Sequence, residues 1–428
     1  MLTREQNDLI TQTGPGTPGG ELFRRYWLPV ALSEELPQDA PPKPVRLLSE
    51  DLVLYRGENG EPCLIGIRCP HRGADLSYAR REGSNLRCLY HGWAFDKRGR
   101  CVDQPSEPAT SNYKERVKFK GYPCHEQNGV ILTYMGPGEP PDLPGYPFLR
   151  CKPAQVFATK FHHACNYLQG NEGNFDSQHL SFLHRIENDD GRTGSLNLFM
   201  AEDIAPRIDV EETGYGLRIF SSRNSGPDEQ YVRITHFVMP SGGSFTNTIF
   251  NKPGAQKDAQ NMGFSFHWHV PIDDEHHWKY LFAYRYSGEV DPPFMKKALG
   301  VTPDYRSPRN AANRWMQDRA EMAAKTFSGL GINFQEHDLW AVESQGPISD
   351  RTTEHLGTTD RAIIHMRRQV LRAIEDVRAG KDPLFVERGA RRSALDDMAV
   401  IQKLVPKSMP IPGDWWKDVL AELEPDRG

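Results

Sequence analysis

Residues 68–96 read RCPHRGADLSYARREGSNLRCLYHGWAFD. Within them stand Cys69-x-His71 and, sixteen residues on, Cys88-x-x-His91, each pair just after a predicted strand and each followed by a glycine-bearing loop. No other feature restricts the folding of this chain as much. Four metal-type donors spaced in this way have one economical use, which is to meet at a single centre. The two loops must then lie side by side.

The flanking text agrees with that demand. Residues 52–55 form a strand, 58–61 a turn and 63–67 the returning strand. Residues 93–95 with the turn 96–99, and 130–135 after Asn128-Gly129, repeat the scheme. Short strands with tight turns imply a small antiparallel β domain. A Pro/Gly cluster at 136–145 then marks a boundary. Residues 1–145 are expected to hold an N-terminal arm and the β domain, and 146–428 a larger second domain.

That second domain reads as α+β. A helix spans 166–184, and strands with period-two alternation carry Met262, Phe264, Phe266 and Trp268, then Trp278, Tyr280, Phe282 and Tyr284, around a turn at 273–275. Helices return over 310–327, 338–345 and 361–379. The last has Ile363, Met366, Val370, Ile374 and Val377 at helical spacing and Gly380 as its stop.

Composition excludes several functions. With 428 residues, 38% hydrophobic and 25% charged, the chain has the balance of a globular protein with two cores. Net charge is -5, no basic run suggests nucleic acid, and no apolar run reaches the roughly 18 residues of a membrane span. The opening MLTREQNDLI lacks the pattern of an export signal. Seven thinly spread cysteines argue for reduced thiols and a cytoplasmic location, with clustered cysteines as ligands rather than disulfides. Cys63, Cys101, Cys124, Cys151 and Cys165 read as ordinary buried or half-buried thiols. The string GPGTPG at 14–19 matches G-x-G-x-x-G but has no strand before it and two prolines inside it, so it reads as a turn in the N-terminal arm. With no other nucleotide motif, reducing equivalents for any redox chemistry must come from another protein.

Zinc is one candidate for two Cys and two His, but zinc fingers group the cysteines in one short motif and the histidines in another. Here each loop supplies one of each. A binuclear centre fits better, with Cys69 and Cys88 on one iron and His71 and His91 on the other, the Rieske [2Fe–2S] arrangement. Neutral imidazoles remove negative charge, so an added electron is better tolerated. Gly73 and Gly92 let the backbone approach the sulfurs. The segment CPHRGADLSYARREG…CLYHGWAFDKRG resembles the cluster-binding stretch of Rieske non-haem iron oxygenases, and the resemblance spans nearly the whole chain. The opening GPGTPGGELFRRYWLPVALSEEL and the late QGPISDRTTEHLGTTDRAIIHMRR are similar to the branch of phthalate dioxygenase and related aromatic-acid oxygenases and O-demethylases. A helix-grip type of antiparallel sheet with helices is the implied second domain.

The second domain offers Asp176-x2-His179-x4-His184. Two histidines and a carboxylate on one face, with open positions opposite, make the triad of O2-activating iron(II). Residues five apart on a regular α-helix point about 140° from each other. His179 and His184 therefore share a metal only if the helix ends or widens between them. Asp176, one turn before His179, is placed to accept its ring N–H. The resemblance makes His179 and His184 iron ligands. It makes Asp176 the bridge to a neighbouring subunit's Rieske histidine, which implies a homotrimer or a dimer of trimers. It also takes the third ligand from a late helix, where Asp338 fits and Glu336, Glu343 and Asp350 are rivals. His162, His163 and His337 fall outside the pattern, as surface or supporting histidines. His267 and His269 either line the pocket or pack.

Related enzymes anchor a substrate carboxylate with arginine, for which Arg207, Arg218, Arg223 and Arg233 are candidates. The expected protein is thus the terminal component of an oxygenase. It takes electrons from an NAD(P)H-dependent flavin and iron–sulfur reductase through the cluster to a mononuclear Fe(2+), and inserts oxygen into a small aromatic molecule. Its rivals are an iron–sulfur electron carrier with a non-catalytic second domain, and a structural zinc protein.

Overall fold

A computed structural model of the chain describes residues 1–186, 203–247, 263–389 and 392–423. The N-terminal part is built from three small antiparallel sheets. One joins Trp27–Leu32, Val130–Tyr134 and Cys124–Gln127. Another runs Lys43–Leu47, Glu50–Arg56, Pro62–Gly66 and Gly121–Tyr122. The third runs Arg80–Glu82, Asn85–Arg87, Ala94–Phe95 and Cys101–Asp103. The strands expected around 52–55, 63–67, 93–95 and 130–135 are all present. Cys69 follows the strand Pro62–Gly66 and Cys88 follows Asn85–Arg87. A separate apolar cluster of Val53, Tyr55, Ile65, Leu76, Leu86 and Phe95 lies beneath both loops.

The larger part is an eight-stranded antiparallel sheet: β1 (Val156–His163), β2 (Arg207–Glu212), β3 (Gly216–Ser225), β4 (Glu229–Val238), β5 (Gly242–Thr246), β6 (Phe264–Pro271), β7 (His277–Tyr284) and β8 (Ile401–Pro406). Its spatial order is β1-β7-β6-β5-β4-β3-β2, and β8 shares the edge of β4 with β5. The period-two pattern separates its faces. Phe266, Trp268, Tyr280, Phe282 and Tyr284 are fully buried in the main core, where Phe148 stacks on Phe282 at 4.0 Å. The opposite face carries Ser265, His267, His269, Lys279 and Leu281, and there the helices α3 (Tyr167–Phe175) and α4 (Phe334–Glu343) cover cavities. Met262 lies outside the described residues.

The long helix α5 (Arg361–Arg378) buries the five apolar positions read from the sequence and ends at Gly380, whose φ is +74°. It packs against β2 and two N-terminal helices, α1 (Arg4–Thr11) and α2 (Pro18–Phe23). The string GPGTPG forms a turn that Thr17 caps as it enters α2, and it is preceded by a helix rather than a strand. A Cβ on Gly20 would sit 2.1 Å from the Gly14 carbonyl oxygen, so this close approach needs glycine.

Two expected helices differ. The helix expected over 166–184 ends at Phe175, because Asp176 is extended and starts a turn. The one expected over 310–327 is two pieces, a 3₁₀ turn Ala311–Met316 and a short helix Arg319–Ala324. Arg314, Trp315 and Met316 are left-handed, and Asp318 accepts the N–H groups of Ala320 and Glu321 to start a new helix. That cap competes with continuation of the first turn.

Candidate metal centres

The two Cys/His loops have the same backbone. The N–H of Gly73 donates to Cys69 O at 2.8 Å, and that of Gly92 donates to Cys88 O at 3.0 Å. The N–H of Cys69 donates to Ala74 O, and that of Cys88 to Trp93 O, each at 2.8 Å. Gly73 and Gly92 take φ of +74° and +75°, a conformation that side chains resist. The repetition presents the four donors in matched fashion. Cys69 and Cys88 are buried with their thiols adjacent, and burial pushes Cys69 up to about 11. His71 and His91 lie outward with ring centroids 4.4 Å apart, and Trp93 stacks on His71. Sulfur inside and nitrogen outside is the donor set a Rieske cluster needs.

In the larger domain, His179, His184 and Asp338 each bring one ligand atom to within 4.8 Å of the others. His184 Nε2 is 3.1 Å and His179 Nε2 3.9 Å from Asp338 Oδ1. The chain is irregular between the histidines: a 3₁₀ turn His179–Ser181 ends at Phe182, with φ −123° and ψ −62°. This brings the two rings to 5.0 Å despite their spacing of five. Asp176 does not hold the His179 ring as closely as expected. Its Oδ2 is 3.7 Å from Nδ1, beyond hydrogen-bond range. Its Oδ1 instead accepts the N–H groups of Gln178 at 2.7 Å and His179 at 3.3 Å, which fixes the turn. Arg223, 2% exposed, supports the same turn by donating to Ser177 O and Ser181 Oγ.

Asp338 reaches the site from α4, which Asn333 caps. The rivals are engaged elsewhere. Glu336 accepts from Ser307, Glu343 from the Ala164 N–H, and Asp350 pairs with Arg4 near the surface. Lys279 is a site residue that no motif in the sequence marks. Its side chain is 2% exposed, and its Nζ lies 3.0 Å from Gln335 Oε1 and 3.4 Å from Asp338 Oδ2. Burial alone would raise the Asp338 carboxyl, but Lys279 and the imidazoles hold it well below its usual range. Burial pushes His184 down to about 4, while the carboxylates of Asp176 and Asp338 outweigh burial at His179 and raise it. The site therefore offers neutral nitrogen at His184 and ionised oxygen at Asp338, the forms that bind a cation. His337, set aside from the sequence, is fully buried against His184. The spacing of Phe334, His337 and Asp338 at i, i+3 and i+4 was the available signal.

Two cavities meet at this site. The one behind it, of about 790 Å³, is lined by Asp176, His179, Asp338, Lys279, His163 and His269, with exposed Gln345 at its rim. The one in front, of about 1180 Å³, runs from His179, His184 and Asp338 over the sheet face of Ile219, Ser221, Arg233 and His267. His267 and His269 thus line cavities, and His269 packs on His277 as well. The four arginines separate clearly. Arg207 binds Asp209 and Ile411 O, Arg218 binds Glu211 and Asp397 O, and Arg223 holds the turn. Arg233 is the cationic side chain lining the front cavity among the described residues, and its Nε is buried without a hydrogen-bond partner.

Comparisons with known proteins agree. Residues 26–114 match the Rieske [2Fe-2S] domain family, and residues 133–426 match the family described as LigXa C-terminal domain like. The phthalate 4,5-dioxygenase oxygenase subunit of Pseudomonas putida is 35% identical over 408 residues, covering 90% of this chain and 89% of that one. The 5,5'-dehydrodivanillate O-demethylase oxygenase subunit of Sphingobium sp. is 33% identical, covering 91% and 84%. The reduced oxygenase–ferredoxin complex of carbazole 1,9a-dioxygenase shares the fold, with a TM-score of 0.56 at 20% identity over 86% of this chain and 93% of that one. Two family matches covering both domains, with long relatives above 30% identity, place the chain among the Rieske non-haem iron oxygenases, as an oxygenase subunit of the phthalate dioxygenase branch.

Proposed function

We propose that Cys69, His71, Cys88 and His91 hold the [2Fe–2S] cluster of this oxygenase, that His179, His184 and Asp338 hold its mononuclear iron, and that the substrate is a carboxylated aromatic molecule. The observation that carries this reading is the convergence of three ligand atoms to within 4.8 Å at one end of a cavity that Arg233 also lines. Iron(II) held by these three residues would offer open coordination positions for O2, with the reducing electrons arriving through the cluster. Ile219, Phe245 and Leu281 give the front cavity apolar walls for a ring. The Arg233 guanidinium, on the wall of that cavity, offers a fork to a carboxylate. The phthalate, dehydrodivanillate and 3-chlorobenzoate enzymes, at 35%, 33% and 34% identity, are named for aromatic carboxylates, whereas a relative at 32% is named for tert-butanol.

The cluster end of the chain is suited to passing electrons outward. Tyr78, Leu89 and Tyr90 stand 75%, 69% and 56% exposed around the cluster histidines. Asp176 lies in the rear cavity, whose rim is exposed. In our reading the cluster tip of a second copy meets Asp176 in a cyclic homotrimer, alone or as a dimer of trimers. The same tip receives electrons from an NAD(P)H-dependent reductase, as the ferredoxin complex of the carbazole enzyme suggests. Domains of 1–145 and 146–428 and a cytoplasmic location belong to the same reading. Among the described residues no helix is long and apolar enough to cross a membrane.

The test is O2 uptake by the holoenzyme with a surrogate reductase, screened over aromatic carboxylates and their amides, together with iron analysis. The expected result is near three irons per chain and uptake that depends on the carboxylate. Two irons per chain with no uptake would favour the electron-carrier rival, and sedimentation tests the trimer.

A further inference from the structure

We propose that His337 is a positioning residue for the iron site: it fixes the tautomer and the ring plane of His184 through a chain of hydrogen bonds that runs in one direction. The proposal rests on the reading of His184 as a metal ligand.

The chain starts from a group that can only accept. His337 Nε2 lies 2.9 Å from the carbonyl oxygen of Gly331, so the His337 proton must be on Nε2. That leaves His337 Nδ1 with a lone pair. His184 Nδ1 lies 3.0 Å from that atom, so His184 must donate from Nδ1. The opposite atom, Nε2, is then the one presented to Asp338 Oδ1 at 3.1 Å. With a cation between Nε2 and Oδ1, the Nδ1 proton stays on His184 and Nε2 turns its lone pair to the cation. Ligating histidines commonly use their second nitrogen in this way, bonding to a carboxylate, a carbonyl or water. Here a second histidine serves, itself oriented by a backbone carbonyl.

The ring geometry supports the assignment. The His184 and His337 rings are inclined by only 18° with centroids 5.2 Å apart, which suits an in-plane N–H···N bond. Phe334 stacks on the face of His184 at 4.4 Å. Phe334, His337 and Asp338 lie on one side of α4, so a single helical turn supplies the stacking ring, the hydrogen-bond acceptor and the carboxylate. His337 is fully buried, so water cannot replace it cheaply.

The experiment compares His337→Phe, which removes the acceptor, with His337→Gln, which keeps one acceptor and one donor. The iron-site metal is removed by dialysis against chelator while cluster absorbance is retained, and Co(II) is returned at equilibrium with elemental analysis. His337→Phe should bind the metal about 10–100-fold more weakly than the unmodified protein. His337→Gln should recover most of that loss, and cluster absorbance should not change. Equal affinity in His337→Phe and the unmodified protein would overturn the proposal, as would equal loss in both variants. Should His337→Phe fail to fold, affinity in His337→Gln decides: near the unmodified value supports the chain, and a fall of the size expected for Phe overturns it. Failure of the underlying reading looks different, because the unmodified protein and His184→Ala would then bind Co(II) alike.

Discussion

The donors of the β domain all fall between residues 69 and 91, on loops shaped by hydrogen bonds reaching four or five residues along the chain. Those of the larger domain come from residues 179, 184 and 338, and they meet only once an eight-stranded sheet and two helices are in place. The cluster histidines face outward, whereas His184 is 2% exposed. One centre is therefore a local device carried by the fold, and the other is a property of the whole fold. Residues remote in sequence, such as Lys279 and Arg223, matter to the second and have no counterpart in the first.

The sharpest test of this contrast removes one ligand from each centre. His184→Ala should abolish substrate-dependent O2 uptake and lower iron by one per chain, and leave the visible spectrum of the cluster unchanged. Cys88→Ser should bleach the cluster and leave Co(II) binding at the other site intact. Loss of both centres in either variant would show that the two are not independent.

A smaller but still large effect is expected from the ion pairs that hold the distant segments together. Glu172 on α3 is 8% exposed, with Arg351 Nε at 2.9 Å and Arg367 Nε at 2.6 Å. Arg367 lies on α5, so this cluster ties α3 to two later parts of the chain. Glu172→Gln leaves buried arginine charge uncompensated and should destabilise the larger domain by about 3–5 kcal/mol. In urea, the tryptophan fluorescence transition should move further than the loss of cluster absorbance, and equal shifts would break the comparison. Burial would raise the Glu172 carboxyl, but the two arginines outweigh it and hold it below its usual 4.5. Its stabilisation is fully present above about pH 4.5 and is lost as pH falls through the lowered folded value. Glu172→Gln should lack that part of the acid-induced loss.

What could be read from the sequence follows the same division. The Cys/His loops were legible because their ligands and turns are contiguous. So were α5, whose apolar stripe is unbroken over 18 residues, and the irregularity between His179 and His184, which follows from helix geometry alone. The helix expected at 310–327 was not legible, since Asn310 and Asp318 cap two separate turns and local side-chain hydrogen bonds outweigh the apolar periodicity. Lys279 could not be found from sequence. It follows a turn on a strand of alternating aromatics, and its role depends on which sheet face α4 covers. Arg233 was one candidate among four until the ion pairs of Arg207 and Arg218 and the buried contacts of Arg223 set the others aside.

Arg233 gives the next prediction. A charged hydrogen bond of this kind contributes about 1.5–3 kcal/mol. Arg233→Gln should therefore raise KM for an aromatic carboxylate by roughly 10–100-fold, with little change for the corresponding amide. The measurement is the ratio of kcat/KM for the acid and its amide in both proteins. An unchanged ratio would leave the guanidinium without a role in substrate choice, while His179, His184 and Asp338 would keep theirs.

The smallest effect belongs to the β domain and completes the contrast. Arg100 donates to Asp96 Oδ2 at 2.7 Å across the turn that follows Ala94–Phe95, but its side chain is 72% exposed. Water screens such a pair, and ordering a long side chain offsets much of the attraction, so Arg100→Ala should cost at most about 1 kcal/mol. The turn itself does not depend on the pair. Asp96 Oδ1 accepts the N–H groups of Arg98 and Arg100, each at 2.9 Å, and the Gly99 N–H donates to Asp96 O. Those bonds survive the substitution because they use backbone donors. Cluster absorbance against urea should then be nearly superimposable on that of the unmodified protein. A shift as large as that of Glu172→Gln would mean that the β domain also relies on its ion pairs, and the distinction between a locally built and a globally built centre would fail.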